Sequence, residues 1–250
     1  MKRNEDILNR FYDSFQQMEG QYHILENSVP MEQQLEYFRF AERVRRELKR
    51  SKKWHDDYDL YMDDLRNDEL PDDVKKKILL KLASSKEVRA YRIIEMYLQN
   101  PSPSLVNWAY MALFESRLML ESDLTDERRI YISTGLGGKD NKLRFYLLIL
   151  SADGTPFLDY QRQMIEREFS YFLTREECDI ERLTVHDNYV ELVVLTPLNA
   201  RFRKALEDML VECNQYGDFL DNSIGITNVK EFSPEEIKRI MKKTWGKNKK

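Results

Sequence analysis

The chain has 250 residues, of which 42% are hydrophobic and 34% charged, and its formal net charge is −4. This charge excludes a global basic field that would attract nucleic acid, and two cysteines are too few for a disulfide framework or a zinc site. The first six residues turn acidic where a signal peptide needs its apolar core, and no apolar run approaches the roughly 20 residues of a membrane span. We therefore expect a cytoplasmic protein without a membrane partner.

The first part of the chain, residues 1–124, is predicted to be a helical domain. Apolar side chains recur at helical spacing in residues 4–19 and 31–50, a short helix fits within 54–68, and three more helices fit between 71 and 122. The last three have similar lengths and short connections, which resembles HEAT-like helical pairs. An ordinary helical bundle explains the same pattern equally well.

The hydrophobic period changes from about 3.6 to 2 near Thr125. Strands are predicted at 129–134, 143–150, 180–185, 189–196 and 224–229, with helices at 158–175 and 199–215. Without the first strand, this order is βαββαβ, so residues 125–232 are predicted to form a ferredoxin-like α/β sandwich. Residues 233–250 are predicted to be a capped helix followed by a basic tail. The predicted fold class is therefore α+β.

A glycine-bearing segment between the first two predicted strands invites comparison with phosphate-binding loops. The spacing fails, because a Walker loop needs Gly at Ser133 and Ser or Thr at Asp140, and must open a helix. A hairpin turn explains the segment better. Accessible backbone in such a turn could still contact a ligand, through Gly135, Gly137, Gly138 and Lys139.

Two groups of polar residues could bind a metal or catalyse a reaction. His55, Asp59 and Asp63 share one face of a predicted helix, but a solvated acidic face is the preferred interpretation. His186 follows a predicted strand in a tight turn, without an identifiable nucleophile beside it. The two-histidine metal motif of ferredoxin-like nucleases is absent, so we expect no metal and no cofactor.

The two cysteines are expected to be structural. Cys213 falls within an apolar helical stripe and is predicted to lie in the core. Cys178 lies near Arg175 at a predicted helix end, where a positive charge could make the thiol more reactive.

Two basic segments and several aromatic residues could contact nucleic acid. Arg45 and Arg46 lie in the basic segment 43–53, and Lys242 and Lys243 precede the lysine-rich end. The predicted strands carry aromatic side chains of the kind that stack on RNA bases, although packing is the preferred interpretation. These residues are Tyr131, Phe145, Tyr146 and Tyr189.

Because no reactive constellation is recognisable, the sequence favours a non-enzymatic interaction or adaptor protein whose partner is another protein. One alternative is an RNA-binding or ribosome-associated factor, which would use the basic segments. Another is a small-ligand sensor in which the ferredoxin-like domain is the regulatory module and the 135–138 turn lies at the opening of its binding site. An enzyme would require residues that converge only in three dimensions.

Overall fold

The computed structural model of the protein describes residues 21–50, 58–124 and 129–246. These residues form two compact units, a helical unit at 21–132 and a sheet unit at 133–246. Helices and an antiparallel sheet together make the fold α+β, as predicted. None of the described helices combines the length and the apolar character needed to cross a bilayer.

The helical unit contains five α-helices and a 3₁₀ turn at Pro103–Leu105. The helices are α1 (Met31–Arg50), α2 (Tyr58–Arg66), α3 (Asp72–Ser84), α4 (Val88–Tyr97) and α5 (Val106–Leu124). Their bounds agree closely with the predicted helices. The helix predicted at 4–19 lies outside the described residues, and the HEAT-like resemblance stays a prediction.

The core of the helical unit is built from the apolar stripes of these helices. Tyr37 of α1 is fully buried and packs against Trp108 of α5, with ring centroids 5.2 Å apart. Its hydroxyl donates a 2.7 Å hydrogen bond to Glu115, which also pairs with Arg45. Burial raises the pKa of the Tyr37 phenol, so it remains a neutral donor.

A parallel pair of strands in the helical unit corrects the sequence prediction. Strand β2 (Arg129–Ile132) pairs with β1 (Gln21–Ile24), an element that the sequence analysis did not find. The strand predicted at 129–134 therefore does not join the C-terminal sheet. Hydrogen bonding to a segment more than 100 positions earlier leaves no local signal, because register depends on tertiary placement.

The sheet unit contains a curved antiparallel sheet, two helices on one face and a third helix on the other. Its strands are β3 (Gly138–Lys139), β4 (Lys142–Ser151), β5 (Asp179–Val185), β6 (Tyr189–Pro197) and β7 (Leu220–Thr227). Its helices are α6 (Asp159–Arg175), α7 (Phe202–Asn214) and α8 (Pro234–Trp245).

Strand β4 lies at the centre of the sheet and pairs with β6 on one side and with β7 and β3 on the other. Alternate side chains point to opposite faces of a strand. Phe145 accordingly packs on Phe202 of α7, at 5.5 Å between ring centroids, whereas Tyr146 packs on Phe232 at 5.3 Å before α8. Both faces of β4 are buried, as its continuous apolar run predicts.

Helix α8 covers part of the face opposite α6 and α7. Ser233 caps it in a capping box with Glu236, as the sequence predicts. Ile237 is buried against the sheet, and the indole nitrogen of Trp245 donates a 2.9 Å hydrogen bond to the carbonyl of Ser151. The helix is therefore fixed to the sheet at both ends.

The glycine segment is packed into the sheet unit. The hairpin turn between β3 and β4 is formed by Asp140 and Asn141, which both have positive φ, and not by the glycines. Such angles suit a two-residue hairpin turn, and Asp and Asn tolerate them better than most residues. Gly135 instead allows the chain to pass close to Val229, where a β-carbon would lie 1.9 Å from the carbonyl oxygen.

We expect Gly135→Ala to lower the free energy of unfolding by about 1–3 kcal/mol, because the colliding atom belongs to the backbone and cannot rotate away. Urea unfolding of the full chain measures this change. The control is Gly225→Ala, where the nearest atoms lie 3.5 Å from the added carbon and the change should stay within about 1 kcal/mol. Equal losses in the two variants would contradict the close approach at Gly135.

Candidate functional site

A β-bulge in strand β5 places two adjacent charged residues on the face that α8 partly covers. The pairing with β6 shifts register between Ile180 and Arg182. Glu181 consequently reaches Arg144 of β4, with Nη2 and Oε1 2.8 Å apart, while Arg182 pairs with Glu231. Bulges commonly re-aim side chains next to functional sites.

Beside these ion pairs, three side chains form a hydrogen-bonded chain on the same face. The hydroxyl of Tyr146 donates a 2.8 Å bond to Oε1 of Glu191, and Oε2 of Glu191 lies 2.7 Å from Nε2 of His186. Burial and the bond to Glu191 raise the pKa of the Tyr146 phenol, so it stays protonated. His186 is the solvent-facing member, because 34% of its side chain is exposed against 18% for Glu191.

The imidazole of His186 also stacks on the ring of Tyr189. The ring centroids are 4.1 Å apart and the planes differ by 12°. Tyr189 packs against the core cluster beneath α8, so His186 is the outer ring of the pair. The hairpin tip that joins β5 to β6 thus presents a flat, oriented aromatic surface.

The Tyr146–Glu191–His186 chain fixes an imidazole without completing a reactive site. A carboxylate that orients a histidine is common in general acid–base catalysis. Tyr146 is a poor nucleophile here, since its raised pKa disfavours the phenolate. Within the described ranges, no cluster of three or more His, Cys, Asp or Glu side chains could hold a metal ion.

Helix α8 is rich in exposed positive charge, and two of its cations, Lys238 and Arg239, interact electrostatically with Glu235 and Glu236 of the same helix. Its four exposed cations, which have no ion-pair partner among the described residues, are Lys238, Arg239, Lys242 and Lys243. The cations of α7 differ, because Arg203 pairs with Glu207 and Lys204 with Asp208. The acidic residues of α8 lie in its first turn, where Glu236 completes the capping box.

The predicted contact residues of the two basic segments differ in whether they already have ion-pair partners. Arg45 is engaged by Glu115 within the helical unit, and Arg46 makes a 3.4 Å pair with Glu42 on the same helix. Lys242 and Lys243 are exposed and unpaired among the described residues. The latter pair is therefore better placed to meet an external anion.

The predicted ligand-contacting turn is mostly inaccessible. Gly135, Gly137 and Gly138 are buried, and only Lys139 is exposed. The carbonyl of Gly137 accepts a 3.0 Å bond from the backbone of Arg144, so this backbone is used by the sheet itself. The expectation of accessible backbone at these glycines is corrected accordingly.

The predicted metal-binding face and the two cysteines show no sign of a functional role among the described residues. His55 lies outside the described residues, and Asp59 pairs with Arg89 at 2.6 Å. Burial raises the pKa of Cys178 to about 11 and that of Cys213 to about 12. Both thiols are buried, so the proximity of Arg175 does not activate Cys178.

The four predicted stacking aromatics do not share a surface. Tyr131 belongs to the helical unit, whereas Phe145 and Tyr146 lie on opposite faces of β4. Tyr189 stacks on the partly exposed ring of His186. Glu191 was not among the predicted site residues. The only sequence feature that pointed to a role for it was its position as a charged residue in an otherwise apolar strand.

The chain has only weak similarity to known proteins. No family model and no curated protein matches the chain. A candidate transposase from Deinococcus radiodurans R1 matches with 18% identity and a TM-score of 0.36, over 41% of this chain and 91% of that one. A REP-associated tyrosine transposase bound to a REP hairpin matches with 11% identity and a TM-score of 0.33, over 47% and 73%.

The prediction of a non-enzymatic adaptor protein is contradicted by this comparison, in which both of the solved structures described above are transposases. The comparison also gives no support to a protein partner. Likeness at these TM-scores carries no argument for transposase activity in this chain.

The buried phenol of Tyr146 should make stability depend on alkaline pH. An unfolded tyrosine ionises near pH 10, whereas the folded pKa of Tyr146 is raised. The stabilising contribution is therefore present below about pH 10 and is lost above it, at about 1.4 kcal/mol per pH unit. Tyr146→Phe should show a shallower loss in urea unfolding across that range. An unchanged slope would contradict a raised pKa.

Both cysteines should resist modification in the folded protein. At about pH 8, burial keeps each thiol protonated and out of reach, so a thiol reagent should label neither. The same protein in denaturant is the control and should yield two thiols. Rapid labelling of Cys178 in the native protein would restore the reactive interpretation.

Proposed function

We propose that the protein binds nucleic acid, with helix α8 contacting the phosphate backbone. The observation that carries this proposal is the group of four exposed cations on α8, none of which has an ion-pair partner among the described residues. The cations of α7, in contrast, have carboxylate partners, since Arg203 pairs with Glu207 and Lys204 with Asp208. Four unpaired cations on one helix favour an anionic partner.

The spacing of these cations suits a polyanion. Lys238 and Lys242 are four residues apart, as are Arg239 and Lys243, so the positive charge repeats about every 6 Å along the helix axis. Favourable interaction with the helix dipole accounts for cations in the last turn, Lys242 and Lys243. Lys238 and Arg239 lie earlier in the helix, where each interacts electrostatically with the carboxylate three positions before it, Glu235 and Glu236 respectively.

The anchoring of α8 makes it a fixed surface. Ile237 and Trp245 attach the helix to the sheet, and the cations lie on its exposed side. A helix already held in place loses little conformational entropy on binding. Charge and rigidity therefore both support a role in binding.

A ferredoxin-like arrangement of the sheet unit is part of the same proposal. The observed strand order β7–β4–β6–β5, with α6 and α7 as the connecting helices, supports it. This arrangement leaves the opposite sheet face available for α8 and for the charged residues beside it. The fold itself does not specify a function.

Fluorescence anisotropy with a labelled duplex DNA, over a series of salt concentrations, tests nucleic-acid binding. We expect the logarithm of the association constant to fall linearly with the logarithm of the salt concentration. The variant Lys242→Glu/Lys243→Glu should bind at least about tenfold more weakly, and its salt slope should be smaller by about 1.8.

The matched control is Arg66→Glu/Lys77→Glu, which makes the same change in net charge at exposed positions of the helical unit that have no ion-pair partner among the described residues. This variant should bind like the wild type. A wild-type salt slope near zero, or equal losses in the two double variants, would contradict the proposal.

A further inference from the structure

We propose that the hairpin tip between β5 and β6 binds an unpaired base, with His186 as the stacking surface, so that the protein binds single-stranded nucleic acid more tightly than duplex. This inference rests on the proposed function and specifies its substrate class. It assigns to His186 and Tyr189 a role in recognition, beyond the local structure of a turn.

The first support is the geometry of the two rings. Their separation of 4.1 Å and interplanar angle of 12° are those of a stacked pair, with Tyr189 inside and His186 outside. An aromatic ring that is supported from below and partly exposed above can accept a third ring. Aromatic side chains, including histidine, bind unstacked bases in this way.

The second support is that the imidazole is held in one orientation. Glu191 contacts its Nε2 atom at 2.7 Å, and Glu191 is itself held by Tyr146. An exposed histidine in a turn would otherwise rotate freely and lose entropy on binding. Here the tyrosine and the glutamate fix the ring before a base arrives.

The third support is the bracing of the hairpin tip. The guanidinium of Arg162 donates to the carbonyl of Val185 at 3.1 Å and lies 3.3 Å from the carboxylate of Asp187. The backbone carbonyl of Asp187 also accepts a 2.6 Å bond from the amide of Phe157. Contacts on both sides of His186 therefore keep this loop in place.

The fourth support is that the hairpin tip lies close to the C-terminal end of α8. The side-chain amide of Asn188 donates a 3.1 Å bond to the carbonyl of Gly154. Gly154 packs directly on Trp245, since a β-carbon added there would lie 3.0 Å from the indole ring. Trp245 ends α8, three residues after Lys242, so the hairpin tip lies close to the cationic last turn of the helix.

A stacking histidine next to a cationic helix favours single strands over duplexes. Bases inside a duplex are covered on both faces by their neighbours, so only an unpaired base can stack on His186. Cationic side chains that follow a backbone, next to an aromatic surface, are typical of single-strand binding proteins. Either RNA or DNA has this shared chemistry.

The experiment compares the full-length wild type with His186→Ala and His186→Phe. The probes are a fluorescein-labelled single-stranded DNA, the RNA of the same sequence, and the DNA annealed to its complement. Loss of one base stack should weaken single-strand binding of His186→Ala by about fivefold to 150-fold, with duplex binding unchanged. His186→Phe should lose less single-strand binding than His186→Ala, because it keeps an aromatic ring but lacks the bond to Glu191 that orients it.

The outcomes separate the two proposals. If the wild type binds no probe, the proposed function itself fails. If the wild type binds but His186→Ala weakens single strands and duplex equally, or neither, the stacking role of His186 is overturned while α8 binding stands. Far-UV circular dichroism and thermal unfolding of both variants exclude loss of folding as the cause. Stronger single-strand binding to RNA or to DNA identifies which of the two supplies the base.

Discussion

The pairing of strand β4 with β6 and β7 is the constraint on which the sheet unit depends. Nine consecutive residues of β4 pair with β6, and the same strand pairs with β7 along its second half. Because side chains alternate across a strand, this pairing assigns Phe145 to the α6 and α7 side and Tyr146 to the α8 side. A shift of one residue would exchange the two sets and expose both cores.

The surface opposite α6 and α7 follows from that register. Tyr146, Glu191 and Arg182 can meet only because strands β4, β6 and β5 lie side by side, with a bulge that turns Glu181 and Arg182 to the same face. Helix α8 then covers the apolar end of this face and leaves the polar end open. The candidate site is therefore a consequence of incomplete coverage of one sheet face.

Ion pairing within the protein decides which cations are available to a partner. Arg45 and Arg144 have carboxylates within reach and serve internal contacts. The cations of α8 have no such partner among the described residues, although the chain as a whole is acidic. Net charge alone therefore does not describe the local charge of α8, which depends on which cations have carboxylates beside them.

The sequence by itself determined the order and approximate bounds of the described helices and of strands β4 to β7, because hydrophobic period and capping residues act locally. The α8 capping box at Ser233 and Glu236 and the burial of Cys213 were predicted for the same reason. Only the tertiary structure decided that β2 pairs with β1, that the hairpin turn lies at Asp140, and that His186 meets Glu191. These contacts depend on register, bulges and coverage of faces, which arise when segments distant in sequence pack together.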